Sequence, residues 1–426
     1  MKILTTRRYS TEYILKKIRR ARSKKQATEN IVRPILAQVK SRGDKALRAL
    51  TKRFDGVALK SFKVSRSEIK AAYKKLPADV IRAMKMAKQN IQMFHQSTIT
   101  KKEPVTETAK GVAVWREFRP IEKVGLYVPG GTAAYPSTVL MLAIPAMVAG
   151  CKKIIMCTPA LRDGTCNPAV LVAADMCGIT TIFKVGGAQA IAAMAYGTKS
   201  IPKVDKIFGP GNQFVTTAKM LVYGEVNIDM PAGPSEICVI ADDTANPAWV
   251  SADLLSQLEH GADSQALLMT TSSAVAQNVI CEMKKQIRSL SRRKIITAAL
   301  RKSYVIIAQS LDEIVELINE YAPEHLEIIS RDEEKILKRI NNVGSVFLGA
   351  SSSEPLGDYA SGTNHTLPTS GFAKMFSPLS AESFGKMIQV QKISKRGIDN
   401  LRETVETLAA QEGLDAHKNS ITIRFT

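Results

Sequence analysis

Apolar and polar residues follow two different spacings along the chain, and the change between them falls near residue 120. In residues 67–96, SEIKAAYKKLPADVIRAMKMAKQNIQMFHQ, apolar side chains recur three and four positions apart, the spacing of an amphipathic helix. Pro77 interrupts this pattern, and Asp79 is the expected N-cap nearby. Residues 111–120, GVAVWREFRP, alternate like a strand. The beginning of the chain is therefore expected to be mostly helical.

From residue 121 onward, short apolar runs alternate with helical patterns. Each run has the length of a strand, and glycine or proline follows several of them. The predicted strands are KVGLYVP at 123–129, KKIIMCTP at 152–159, TTIFKVGG at 180–187, VDKIFGPGN at 204–212, SEICVIA at 235–241, ALLMTTS at 266–272, YVIIAQS at 304–310 and SVFLGAS at 345–351. Repeated strand–helix units predict parallel sheets with helices on both faces.

The length of 426 residues is more than one hydrophobic core ordinarily serves. We expect an α/β fold of two Rossmann-like, doubly wound parallel-sheet domains, with a helical N-terminal segment and a small C-terminal tail domain. The tail is predicted to be helical and to end in a short strand, ITIRF. The expected divisions are residues 1–30 for the N-terminal segment, 31–120 with 236–378 for the first α/β domain, 121–235 for the second, and 379–426 for the tail.

The composition is typical of a soluble globular protein, with 45% hydrophobic and 23% charged residues. The most apolar stretch, residues 139–150, is shorter than the ~20 residues of a membrane span and contains Pro145, so a buried helix is predicted. The N-terminus has no continuous apolar segment of a secretory signal, and a surface helix is favoured over an organelle transit peptide. The side chains expected to face inward on that helix are Tyr13, Ile14, Leu15 and Ile18.

The six cysteines include no C-x-x-C pair, which argues against a disulfide framework or a thiolate zinc site and favours a reduced, cytoplasmic setting. The net charge of +21 is concentrated at one end. Residues 1–120 hold 31 Lys and Arg against 9 Asp and Glu (+22), and the other 306 residues hold 29 against 30 (−1). Nucleic-acid binding is one interpretation. A solvated basic face is favoured, because these residues are spread among helical apolar positions, and it would also concentrate an anionic cofactor.

Four of the five histidines have acids, amides or glycines as sequence neighbours, whereas His95 lies in a helical pattern and is interpreted as structural. LLSQLEHGADSQ places Gln257 and His260 three positions apart, on one face if the segment is helical. GDYASGTNH places Asp358 and His365 on one glycine-bearing loop. Each pair by itself is explained better by surface polar residues than by a metal site.

Two further pairs of polar residues occur after residue 320. EGLDAHKNS places Glu412 five positions before His417. Nitrogen and oxygen ligands of this kind suit zinc, with manganese or cobalt as substitutes, and the pairs together favour a metal site. YAPEHLEIIS places Glu324 beside His325 before a strand-like run, where both side chains are able to face one pocket as a pair of bases.

Glycine-rich turns follow several predicted strands, in VPGGTAAYPS, VGGAQA and FGPGN. Glycine permits close approach of the backbone to a ligand, and a helix N-terminus favours anions. None of these turns matches G-x-G-x-x-G or the P-loop pattern. Nucleotide binding and tight strand–helix packing both remain open interpretations of the turns alone.

The motifs taken together resemble the histidinol dehydrogenase family. The resemblance runs from about residue 30 to the end, in order and at sensible spacing, and carries little signal in the basic N-terminal region. It rests on GLYVPGGTAAYPSTVLM, VGGAQAIAAMAYGT, DKIFGPGN, PAGPSE, LLSQLEHGADSQ, APEHLEI, GDYASGTNHTLPT and EGLDAHKNS.

The resemblance implies a zinc-dependent, NAD-linked oxidation of L-histidinol to L-histidine through an aldehyde, using two NAD. It implies that the acid–base pair is Glu324 and His325. The implied zinc ligands are Gln257, His260, Asp358 and His417. The implied substrate contacts are Ser235, His325, His365, Glu412 and the zinc ligands. The implied NAD contacts are Tyr127, Gln189 and Asn212. In this reading residues 31–120 with 236–378 carry the metal and catalytic residues, and 121–235 bind NAD.

The resemblance also implies a homodimer with shared sites, in which Glu412 and His417 act in the partner's site. The alternatives are a related zinc- and NAD-dependent dehydrogenase of another small polyol or sulfonated diol, a zinc hydrolase that uses the acid–base pair without NAD, and a nucleic-acid-binding role for the basic N-terminal region.

Overall fold

The computed structural model describes residues 1–19, 25–130, 135–231 and 233–426, so the centre of the VPGGTAAYPS turn lies outside the described residues. The strands are β1 Lys2–Thr5, β2 Thr106–Ala109, β3 Val112–Pro120, β4 Lys123–Tyr127, β5 Lys153–Thr158, β6 Thr181–Lys184, β7 Lys206–Phe208, β8 Asn227–Ile228, β9 Glu236–Ala241, β10 Gln265–Thr270, β11 Tyr304–Ile307, β12 His325–Ile329, β13 Ser345–Leu348 and β14 Gly385–Ile393. The helices are α1 Thr11–Ile18, α2 Lys25–Phe54, α3 Arg66–Lys75, α4 Ala78–Thr98, α5 Pro136–Ala149, α6 Pro168–Met176, α7 Gly187–Tyr196, α8 Gln213–Val222, α9 Pro247–Leu258, α10 Ser273–Gln286, α11 Arg293–Leu300, α12 Leu311–Tyr321, α13 Glu333–Leu337, α14 Glu354–Tyr359, α15 Lys395–Gln411 and α16 Asp415–Thr422.

A five-stranded parallel sheet has the order β6-β5-β4-β7-β8. Its strands are buried on both faces: on β4, Val124 and Leu126 join the core on one side and Tyr127 joins the core on the other. Helices α5 and α6, with α3 and α4 outside them, lie on the first side, and α2, α7 and α8 lie on the second. The strand–helix alternation predicted for residues 123–212 is confirmed.

A second parallel sheet of six strands has the order β1-β11-β10-β9-β12-β13. On β9, Cys238 and Ile240 pack towards α1 and α12, and Ile237 and Val239 pack towards α9, α10 and α11. The predicted α/β class with parallel sheets is therefore confirmed in both halves. One edge of this sheet was not predicted from the sequence, because four-residue β1 pairs with β11 some 300 positions later in the chain.

A three-stranded antiparallel sheet, β14-β3-β2, joins the tail to the segment before β4. Nine residues of β14 pair with nine of β3, from Gly385 opposite Pro120 to Ile393 opposite Val112. Beyond it, α15 and α16 pack on each other. The predicted final strand is wrong: ITIRF lies in the end of α16 and a 3-10 turn, Ile423–Phe425, with no neighbouring strand to pair with among the described residues.

Several local expectations also differ from the structure. Pro77 rather than Asp79 is the N-cap of α4, and Asp79 lies in its first turn. On α1, three of the four predicted inward residues are buried, but Tyr13 is 39% exposed and stacks on Tyr9. The helices of residues 31–98 were grouped with 236–378, yet they pack on α5, α6, α7 and α8 of the five-stranded unit. Among the described residues, no helix is both long and apolar enough to cross a membrane.

Candidate active site

The predicted acid–base pair lies at the amino-terminal edge of the six-stranded sheet. His325 is the first residue of β12, and Glu324 precedes the strand, after a left-handed cap at Ala322 that ends α12. Because Glu324 is outside the strand, it does not follow the strand's alternation between faces. Its Oε2 lies 3.7 Å from His325 Nδ1, and both side chains are buried.

Backbone groups of Glu236, the first residue of the adjacent β9, hold both members of the pair. The Glu236 N–H donates to Glu324 Oε2 at 2.8 Å, and the Glu236 carbonyl oxygen lies 3.0 Å from His325 Nδ1. Gln257 Nε2 lies 3.1 Å from the same ring nitrogen, and only one of the two contacts is hydrogen-bonded for a given tautomer. Gln257 comes at the end of α9, which returns to this edge of the sheet.

Two carboxylates face the other ring nitrogen. His325 Nε2 lies 3.7 Å from Asp358 Oδ1 and 3.8 Å from Glu354 Oε1, both on the short helix α14. His260 Nε2 approaches Asp358 Oδ2 at 4.0 Å. His365 Nδ1 donates to the Asp358 carbonyl oxygen at 3.0 Å. We call Gln257, Glu324, His325, Glu354 and Asp358 the His325 cluster.

Burial and charge shift the pKa values of these groups in different directions. Burial raises the pKa of Glu324 to about 8. Burial alone would lower the pKa of His325, but Glu324 and the other nearby carboxylates raise it to about 10. The neighbouring imidazoles outweigh burial at Asp358 and lower its pKa. Burial lowers the pKa values of His260 and His365.

The donor set fits a divalent cation. Gln257 Oε1 is buried and has no hydrogen-bond partner, and the same holds for His325 Nε2 and Glu354 Oε1. Asp358 is held as a carboxylate and His260 as a neutral imidazole, the states in which each binds a metal. Among the described residues, the compact group able to hold an ion by geometry alone is His325, Glu354 and Asp358. Of the predicted ligands, that group contains Asp358.

Two buried acids near His325, Glu354 and Glu327, were not predicted from the sequence. Glu354 lies four positions before Asp358, the spacing that places two carboxylates on one helix face. Glu327 lies two positions after His325 on β12, and its Oε1 accepts the Glu354 N–H at 2.8 Å. Burial raises the pKa of Glu327 to about 9. The sequence did contain a signal for Glu327, because it is a charged residue inside the apolar run HLEII.

The predicted NAD contacts lie at the carboxyl edge of the five-stranded sheet. Tyr127 ends β4, and its hydroxyl accepts the Gly187 N–H, at the start of α7, at 3.0 Å. Gln189 is buried in the first turn of α7, and its Nε2 has no partner. Asn212 follows β7, is exposed, and caps α8 through Oδ1.

This edge lies beside the His325 cluster. His365 Nε2 accepts a hydrogen bond from the hydroxyl of Thr138, in the first turn of α5, at 3.3 Å. Asn364 Nδ2 donates to the Met141 carbonyl oxygen on the same helix at 2.7 Å. Because α5 is the first helix after β4, the loop that carries His365 joins the amino edge of one sheet to the carboxyl edge of the other.

Two of the predicted site residues are not brought to the cluster within this chain. Glu412 and His417 are exposed in the tail, and neither makes a hydrogen bond or ion pair with a His325-cluster residue among the described parts of the chain. Ser235 is adjacent to Glu236 at the amino edge, and its carbonyl oxygen accepts the Gln265 N–H at 3.1 Å.

Known proteins resemble this chain over almost its whole length. The histidinol dehydrogenase family profile matches residues 18–425. Histidinol dehydrogenase of Bacteroides fragilis (strain YCH46) is 51% identical over 402 residues, covering 93% of this chain and 94% of the relative. That of Methanocaldococcus jannaschii is 48% identical over 394 residues, covering 92% of each. The crystal structure of histidinol dehydrogenase from Elizabethkingia anophelis matches with a TM-score of 0.96 at 46% identity, covering 100% of this chain and 98% of that one.

Two parallel α/β sheets that meet at a buried histidine–carboxylate cluster, together with these similarities, define an oxidoreductase. The matched region includes the five-stranded sheet, the strands of the six-stranded sheet other than β1, the His325 cluster and nearly all of the tail. The chain belongs to the histidinol dehydrogenase family.

Proposed function

We propose that this chain oxidises L-histidinol to L-histidine in two NAD-dependent steps, with L-histidinal as the bound intermediate and one Zn²⁺ per site. The observation that carries the proposal is that the amino-terminal edge of the six-stranded sheet lies beside the carboxyl edge of the five-stranded sheet. The buried pair Glu324 and His325 lies beside metal-type donors, and the loop of His365 links that cluster to the helix after β4. A hydride donor and a nicotinamide acceptor need such an adjacency.

The proposed zinc ligands are Gln257, His260 and Asp358, completed by His417 of a second copy. The partnerless Oε1 of Gln257 and the carboxylate state of Asp358 support this set. When bound, the ion would hold the amine and imidazole of histidinol and polarise its alcohol. The role of the surrounding protein is to keep the alcohol carbon in one place relative to the nicotinamide, which is catalysis by positioning.

In the first oxidation, His325 takes the hydroxyl proton while hydride leaves the carbon for NAD. A carbonyl oxygen only accepts hydrogen bonds, so donation to the Glu236 carbonyl keeps one hydrogen on Nδ1. In the neutral ring that the reaction requires, Nε2 is then the nitrogen that takes up the proton, and the carboxylates that raise the pKa of the ring to about 10 favour that uptake. Positive charge then develops on the ring, and the nearby carboxylates of Glu324, Glu354 and Asp358 stabilise it. This arrangement suits an imidazole that must accept a proton in a dry site.

In the second oxidation, Glu324 acts on water. The aldehyde is hydrated, and a second hydride leaves for a second NAD. Because burial raises the pKa of Glu324 to about 8, its carboxylate is a stronger base than an exposed glutamate. The Glu236 N–H fixes the orientation of Oε2. Two bases serve two chemically different proton transfers, from the alcohol and from water.

We place NAD at the carboxyl edge of the five-stranded sheet, in contact with Tyr127, Gln189 and Asn212. The order β6-β5-β4-β7-β8 reverses direction between β4 and β7, and ligands of doubly wound sheets bind outside the carboxyl ends at such a switch point. Tyr127 and Asn212 flank that point. The partnerless Gln189 Nε2 offers a donor to the cofactor.

We further propose a homodimer in which the tail of each copy enters the site of the other, so that Glu412 and His417 bind substrate and metal in trans. Apolar side chains that a second copy would cover are exposed on the tail. They are 40–60% exposed and comprise Ile393, Leu408, Leu414 and Ile423.

The test is to count NADH formed per histidinol, with and without a chelator. We expect two NADH per histidinol and loss of activity when the metal is removed. No NADH would favour a zinc hydrolase, and a preference for another polyol or sulfonated diol would favour a related dehydrogenase. Either result would overturn the proposal.

A further inference from the structure

A buried ion pair lies directly behind the turn that follows β7. Lys219 is on α8, Asp229 follows β8, and the ammonium and carboxylate groups are in close contact. Their side chains are 3% and 1% exposed. The pair lies on the five-stranded unit, whereas His325 lies on the six-stranded sheet.

Both members of this pair bind the backbone of the same residue, Gly209. Lys219 Nζ donates to the Gly209 carbonyl oxygen at 2.9 Å, and the Gly209 N–H donates to Asp229 Oδ2 at 2.7 Å. Lys219 Nζ also donates to the Met230 carbonyl oxygen at 3.2 Å. The amide hydrogen and the carbonyl oxygen of Gly209 are thus each fixed by a charged group, a stronger restraint than neutral hydrogen bonds give.

The position of Gly209 explains why such a restraint matters. Its φ is +123°, and a Cβ atom there would lie 2.0 Å from the Tyr127 carbonyl oxygen. The backbone therefore passes directly against the end of β4, at the point where the sheet order reverses. Three residues later Asn212 caps α8, so the orientation of Gly209 sets where residues 209–212 stand relative to Tyr127.

Energetics argues against stability as the reason for the pair. Desolvating two charges costs more than their attraction commonly returns, and apolar replacements of buried pairs are often neutral or stabilising. A pair kept in such a place is therefore explained better by the geometry that it imposes. We propose that Lys219 and Asp229 are positioning residues that hold the 209–212 turn in the conformation that NAD binds. This inference rests on the proposed function.

The test compares steady-state constants of the full-length protein and a double variant, Lys219→Met with Asp229→Asn. The double change removes the ion pair without leaving one charge buried alone. We expect the KM for NAD to rise about tenfold, the order set by one charge-assisted hydrogen bond, while the KM for histidinol and the zinc content stay within twofold. The melting temperature reports whether the variant folds.

A matched control is Asp44→Asn. Asp44 accepts hydrogen bonds from Ser200 in the same unit, near the C-terminal end of α7 and therefore at the opposite edge of the sheet. It should lower the melting temperature without changing the KM for NAD. An unchanged KM for NAD in the double variant, or an equal rise in the control, overturns the positioning role. If the double variant does not fold, Lys219→Arg replaces it. This variant keeps the charge but changes the shape of the group that binds the Gly209 carbonyl oxygen, so its KM for NAD should be raised. A wild-type KM for NAD in Lys219→Arg overturns the positioning role. Absence of NADH formation by the unaltered protein would instead overturn the proposed function.

Discussion

His365 Nε2 lies 3.3 Å from Thr138 Oγ1, and this one contact joins a loop of the six-stranded unit to the first turn of the helix that follows β4. Together with the hydrogen bond from Asn364 to the Met141 carbonyl oxygen, it holds that loop against the unit proposed to bind NAD. The chemistry proposed for Glu324 and His325 depends on that adjacency, and the two residues are separable by experiment.

Substitution of the two bases should affect different steps. His325→Asn removes the group that accepts the alcohol proton, so the oxidation of histidinol should fall by about 10²- to 10⁴-fold. Glu324→Gln removes the base for water, so the oxidation of added histidinal should fall more than the first step. Separate assays with histidinol and histidinal measure both effects. Equal losses in both steps for each variant would contradict the division of labour.

Metal content distinguishes two ligand sets that share Asp358. Asp358→Asn should lose zinc whichever set is right, because a neutral amide replaces the carboxylate. Glu354→Gln changes a buried carboxylate of the compact group His325, Glu354 and Asp358, but not a proposed ligand. We expect Glu354→Gln to keep one zinc per chain by elemental analysis. Loss of zinc in that variant would identify the compact group as the ligand set.

Mixing two inactive variants tests the shared site. His325→Asn and His417→Ala should each be nearly inactive alone. If His417 serves the partner's site, a mixed dimer contains one site with both changes and one unaltered site. Random exchange of subunits should then restore about one quarter of the wild-type activity. Mixing a variant with itself is the control, and no recovery in the mixture would place His417 in its own subunit's site or outside any site.

The basic helices are predicted to assist NAD rather than nucleic acid. Helices α2, α3 and α4 pack on the helices of the five-stranded sheet, so their positive charge lies on the unit proposed to bind NAD, whereas the basic helix α1 packs on the other sheet. We expect kcat/KM for NAD to fall several-fold between about 20 and 300 mM salt, and kcat/KM for the cationic histidinol not to fall. A salt-independent value for NAD would contradict this role.

Acid should destabilise the protein in part through His95. Burial lowers the pKa of His95 to about 4, below the ~6.5 of an exposed imidazole. The unfolded chain therefore binds a proton between these values while the folded chain does not, so stability present above pH ~6.5 is lost as the pH falls towards about 4. The free energy of unfolding, measured with denaturant, falls as the pH is lowered from ~6.5 to about 4. In His95→Leu this fall should be smaller than in the wild type by on the order of 3 kcal/mol. Parallel curves for the two proteins would contradict it.

Much of the fold followed from the sequence because the central strands are continuous apolar runs that are buried on both faces. What could not be predicted depends on partners distant in the chain. The residues of β1 and β14 gain their conformation from β11 and β3. ITIRF alternates like a strand, but it has no such partner in the part of the chain that the structure describes, and it is helical instead. Local pattern carries no information about pairing across hundreds of residues.

The residues of the candidate site were likewise predicted only where the local sequence pairs them. Glu324 and His325 were identified because they are adjacent in sequence, and Gln257 and His260 because they share a helix-type spacing. Glu354 and Glu327 surround the same imidazole, but the first lies in a surface-like segment, SSSEPLGDY, and the second in an apolar run. Only the folded chain places their carboxylates next to His325.

The first five residues have a consequence for how the basic region is studied. Because β1 pairs with β11, deletion of the first thirty residues would turn β11 into an exposed edge strand. The unpaired backbone N–H and C=O groups of Tyr304–Ile307 would then promote aggregation with other chains. A change in nucleic-acid binding after such a truncation would then reflect aggregation as much as the loss of positive charge. Substitution of exposed lysines on α2–α4 by glutamine keeps β1 paired with β11. Its effect on nucleic-acid binding therefore reports the positive charge alone.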